Sequence, residues 1–118
     1  MKEFMLFITA EGDPMATLSA EQKQQHVQKV EDYIKQLIEE GKMKDAQPLE
    51  MEGVKIAKKE NSFIDGPFNE SKEVITGYYR ILARDLGEAS EIAKADPRFD
   101  DGLWKIEIRP IMQVDGIN

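Results

Sequence analysis

Residues Glu73 to Ala83, EVITGYYRILA, constrain the fold more than any other stretch of the chain. Read as a strand, one side carries Val74, Thr76, Tyr78, Arg80 and Leu82, and the other Ile75, Gly77, Tyr79, Ile81 and Ala83. Both sides are largely apolar, as expected of a central strand covered front and back. Phe4 to Ile8 form a second unbroken apolar run and predict a second central strand.

Helical signals flank these runs. Ser19-Ala20-Glu21-Gln22 reads as a capping box, followed by Val27, Val30, Ile34, Leu37 and Ile38 at helical spacing, with Gly41 as the stop. Asp85 with Glu88 predicts a second helix, its buried stripe made of Leu86, Ala89, Ile92 and Ala93, ended by Pro97. Met51 to Lys59, with Val54 and Ile56 inward and lysines outward, predicts an outer strand. Phe63-Ile64 reads as its short continuation. Trp104 to Met112 alternates cleanly and predicts the last strand.

The expected order is β-α-β-β-α-β, an α+β fold with a four-stranded antiparallel sheet in spatial order 4-1-3-2 and both helices on one face. Two helices shield one face only, so the other central-strand face needs a cover. A second copy packed sheet to sheet is the expected one, which makes the chain a homodimer.

Composition narrows the function classes. A formal charge of −7 over 118 residues, with lysines 55, 58 and 59 bracketed by Glu52 and Glu60, argues against a nucleic-acid partner. The absence of cysteine excludes disulfides, zinc–thiolate sites and thiol nucleophiles. One histidine with scattered carboxylates lacks zinc-site spacing, and no EF-hand, phosphate-binding glycine loop or serine elbow is present, so neither metal nor cofactor is expected. The apolar run near the N-terminus is too short to span a bilayer and lacks a secretory cleavage site. The expectation is a cytoplasmic protein without a membrane partner, in one domain over residues 1–118.

Asp65-Gly66-Pro67-Phe68 is a sharp turn in which Pro67 fixes its own φ, Asp65 accepts from following amides and Phe68 anchors the loop. This motif, with Glu70-Ser71-Lys72-Glu73, Gly77-Tyr78-Tyr79, the helix from Glu88 to Ala95, Glu107-Ile108-Arg109-Pro110 and the upstream EEGKMKDAQPL, resembles the YCII-related domains, in particular their DGPF branch. The resemblance implies a ferredoxin-like fold paired as a dimeric α+β barrel. Most such proteins have no established activity, though some relatives act on small organic molecules. Carried over by position, a proposed histidine–aspartate acid–base pair of the YCII-type branch falls on His26 and Asp96.

The candidate residues also have structural readings. His26 sits on the shoulder of the first helical stripe beside Tyr33. There an imidazole serves either as a general base near neutrality or as a boundary residue with one nitrogen in water. Asp96 before Pro97 either orients that imidazole or ends the helix. Arg80, in an apolar alternation, requires Glu73, Glu107 or an anionic ligand, with the Tyr78 hydroxyl at hand. Arg109 pairs with Glu107 or binds. Two functions stay open. One is an enzyme on a small organic substrate, with His26 as base, Asp96 or Asp65 orienting it, and Arg80 or Arg109 holding an anionic group. The other is a non-catalytic ligand-binding or interaction module.

Overall fold

A computed structural model of the chain describes residues 1–67 and 73–118. The elements run β1 (Lys2–Glu11), α1 (Ala20–Glu39), β2 (Met43–Pro48), β3 (Val54–Lys59), β4 (Ser62–Pro67), β5 (Glu73–Ala83), α2 (Leu86–Lys94), a 3-10 turn (Pro97–Asp101) and β6 (Trp104–Pro110). Ser19 and Gln22 cap α1 reciprocally, as the capping-box spacing predicts. Gly41, at φ +72°, ends it: its amide bonds Ile38 and that of Lys42 bonds Leu37, the paired closure of a Schellman motif. Asp85 accepts from the Glu88 amide at 2.9 Å to open α2. No helix among the described residues is long and apolar enough to cross a membrane.

Four strands form an antiparallel sheet in the order β2-β5-β1-β6, with β5 and β1 central. The outer strand beside β5 is Met43–Pro48, not the expected Met51–Lys59. That later segment folds instead as β3 against β4 in a separate two-stranded sheet, with Lys58 over the Phe63 ring. The physical reason lies upstream. The tight stop of α1 delivers Lys42 to β5, where its carbonyl accepts from Leu82, and pairing begins at once between Met43 and Ile81. Every residue of β3 is exposed, including Val54 and Ile56. The radius of gyration, 16.4 Å, exceeds the roughly 13–14 Å of a compact chain of this length, as a hairpin standing off the body requires.

The expected faces of β5 are corrected at one point. Ile8 pairs with Gly77 but Thr9 pairs with Ile75, so Thr76 is an extra residue and a bulge. Parity flips there. Val74 is buried on the side of Tyr79 and Ile81, while Ile75 is exposed. The Thr76 carbonyl accepts from the Leu49 amide at 2.9 Å, which carries the pairing with β2 one residue past Pro48.

One sheet face is the core. Phe4, Leu6, Ile8, Tyr79 and Ile81 are buried with Leu37 of α1 and Ala89, Ile92 and Ala93 of α2. Val27 and Ile38, assigned to the apolar stripe of α1, are exposed, while Ile34 packs against the core as expected and Tyr33 joins it there. The opposite sheet face is only half-buried within one chain, with Met5, Phe7, Tyr78 and Leu82 alternating with the buried set. Phe68, Glu70 and Lys72, assigned to the turn and its charge network, lie outside the described residues.

Candidate functional site

The core face does not close completely. Between α1 and the sheet lies a cavity of about 650 Å³, floored by Ile8, Gly77, Tyr79 and Trp104 and walled by α1. The segments Asp13–Met15 and Pro48–Met51 form its rims. Gly77 keeps the floor low. A Cβ built there would stand 2.9 Å from the Gln47 carbonyl oxygen, inside the closest real contacts, so β2 can approach β5 only at a glycine.

At one end His26 stacks on Trp104, ring centroids 5.6 Å apart and planes 12° from parallel. The Trp104 indole donates to Asp101 at 3.1 Å, which fixes the ring that the imidazole lies on. Half-burial lowers the His26 pKa, and the nearby Arg98 charge lowers it further, against opposing pulls from Asp101 and Asp96. The imidazole is therefore neutral at pH 7.

Behind this end lies a buried polar network. Asp96, 2 % exposed, caps the 3-10 turn by accepting from the Arg98 amide at 2.9 Å. Its other oxygen accepts from Arg98 Nη1 at 2.8 Å and from the Tyr79 hydroxyl at 3.3 Å. The Tyr33 hydroxyl, 3.4 Å from that of Tyr79, donates to the Ile92 carbonyl at 2.7 Å and ties α1 to α2. Burial pushes the Tyr33 phenol up to about 12 and raises that of Tyr79, helped by Tyr33 and Asp96, so both remain protonated donors at neutral pH. No buried side-chain nitrogen or oxygen among the described residues lacks a partner.

Of the six candidate residues, His26 and Tyr78 border the cavity, Tyr78 from within β5, with its side chain alternating to the open face of the sheet. Asp96 sits one residue behind it, its carboxylate engaged by Arg98 and Tyr79 rather than by the imidazole. The other three lie elsewhere. Asp65 is exposed on β4, opposite Ile56. Arg80 faces the open side of the sheet in a two-bond pair with Asp45, at 2.8 and 3.3 Å. That partner comes from β2, the strand the alternation pattern does not reveal, and neither Glu73 nor Glu107 takes the role. Arg109 is exposed on β6, opposite Met5.

The sequence alone gives no site role to Trp104, Arg98 or Tyr79, and places Tyr33 only as a neighbour of His26 on α1. The signals existed: the chain's single tryptophan, and an arginine two residues after Asp96. Their convergence depends on packing between segments far apart in sequence.

The family model of the YCII-related domain matches residues 3–115. The chain belongs to the YCII-related domain family. Among curated proteins none matches it. In this YCII-related domain, then, the matched region takes in both walls of the cavity, the Asp96 network and the β3–β4 hairpin alike. The arrangement can bind an apolar molecule, present a neutral imidazole to it, and set a mostly buried guanidinium beside that imidazole.

Proposed function

We propose that this YCII-related domain binds a small organic molecule in the cavity between α1 and the sheet and moves a proton there with His26 as general base. One observation carries the reading: the sole imidazole stands in the cavity wall with its pKa held below the ordinary value. A neutral imidazole accepts a proton from a bound molecule, and the adjacent Arg98 stabilises negative charge that develops as the proton leaves. Asp96 acts through Arg98, as a positioning residue. The engagement of Asp96 away from His26 favours a second reading, a cavity that binds without turnover.

A thermal-shift screen of small organic compounds finds ligands through linked stabilisation. Each ligand is then held with the protein in deuterated water and followed by NMR. His26-dependent exchange of a ligand hydrogen, abolished in His26→Asn, is the expected result. Stabilisation without exchange supports the second reading and overturns the first.

The proposal extends to branch and assembly. The Asp65-Gly66-Pro67-Phe68 motif supports assigning the chain to the DGPF branch. The order β2-β5-β1-β6 suits a ferredoxin-like βαββαβ unit carrying an inserted hairpin. Met5, Phe7, Tyr78 and Leu82 on the open face suit a second copy packed sheet to sheet, completing a dimeric α+β barrel.

A further inference from the structure

The cavity has a length and a direction, not only a volume. Its α1 wall runs from His26 to Lys35, a rise of about 13 Å at helical pitch. Its floor runs from Trp104 on β6 to Ala46 and Pro48 on β2, three strand spacings or about 14 Å. The floor draws on all four strands, from Trp104 through Ile8 and Gly77 to Pro48, so the channel lies across them. Its two ends differ chemically. At the β6 end His26, Trp104 and Arg98 meet, with the Arg98 side chain only 14 % exposed. From there to the β2 end the lining is mostly apolar, with Val27, Val30, Ile34, Leu49 and Met51 on the wall and rim, and its charged members Glu31, Lys35 and Glu50 are exposed. Val27 and Leu49 stay exposed, so an apolar guest there removes protein surface from water as well as its own.

We propose that the ligand of this cavity is an elongated, apolar monocarboxylate, its head at Arg98 beside His26 and its tail along Val30, Ile34 and Leu49 toward β2. The inference rests on the cavity being the ligand site, and it adds the ligand's shape and charge. A guanidinium has five N–H donors in a rigid fork suited to a carboxylate, and Asp96 from behind holds that fork in place. The far end offers the tail no buried charge. The Lys35–Glu31 pair there is exposed and satisfies itself at 2.8 Å.

The chain's single tryptophan makes the test direct, because Trp104 floors the head end. Decanoate (below its micelle concentration), decanol and acetate are titrated into the full chain while tryptophan emission is followed. Decanoate should change the emission saturably, decanol should bind about tenfold more weakly for want of the charge-assisted bonds, and acetate should do nothing. Leu49→Asp, at an exposed rim position that leaves folding alone, should weaken decanoate about tenfold by placing charge beside the tail. Equal binding of decanol and decanoate overturns the head assignment. A response to acetate that matches decanoate overturns the elongated shape while leaving the cavity as a site for compact anions. No response to any probe overturns the inference, and the compound screen above then decides independently whether the cavity binds at all.

Discussion

His26 and Asp96 stand 70 residues apart in the chain, and the Arg98 guanidinium acts on both, pairing with Asp96 and lowering the His26 pKa. Because burial lowers the folded pKa of His26 below the ordinary 6.5, the unfolded chain binds the proton more readily. The stability this group contributes is fully present above pH 6.5 and is lost as pH falls from there through the folded pKa. Melting temperature against pH should therefore fall more steeply below that point for the native chain than for His26→Gln; parallel curves would contradict the shift. Asp96 belongs to the fold as much as to the site. Asp96→Ala breaks a buried pair and removes the cap of the 3-10 turn, and should cost about 3–5 kcal/mol in urea unfolding. A loss below about 1 kcal/mol would show that Arg98 finds water instead. At this scale the chemistry-bearing residue types were legible. His26 was marked by being single and by the family resemblance, whereas the Tyr79 partner of Asp96 and the Asp45 partner of Arg80 were not, since each comes from a different element.

Elements whose signals are local were the legible ones. The capping box, the Gly41 stop and the Asp85 cap specify both helices from a few adjacent residues, and two-sided apolarity placed β1 and β5 at the centre of the sheet. Met43–Pro48, by contrast, reads MKDAQP and carries no alternation, while Val54–Lys59 alternates without telling which partner it pairs with. The bulge at Thr76 is likewise invisible in a sequence whose two faces are both apolar. Two predictions belong here. Gly77→Ala forces a Cβ against the Gln47 carbonyl and should destabilise the β2–β5 pairing by about 1–3 kcal/mol, with the amide signals of β2 and the cavity floor shifting together. A two-stranded hairpin is marginal alone in water, so the amides of β3 and β4 should exchange hydrogen far faster than those of β1 and β5. Equal protection would mean that something covers the hairpin.

At the scale of the molecule, one layer of helices covers one face of one sheet, and this leaves two unfinished surfaces. For the outer face, with Met5, Phe7, Tyr78 and Leu82, the proposed cover is a second copy. Sedimentation at micromolar concentration should return twice the chain mass, and Phe7→Asp should return a folded monomer. A native chain that sediments as a monomer contradicts the dimer. The inner gap between α1 and the sheet is the surface on which the functional proposal stands. Its most direct test is amide and indole chemical-shift mapping with the strongest stabilising compound from the screen. The proposal predicts perturbations that converge on His26, the Trp104 indole N–H, Gly77 and the Pro48–Met51 rim. Perturbations gathered on the hairpin or on the outer sheet face, with those cavity signals unmoved, would contradict it.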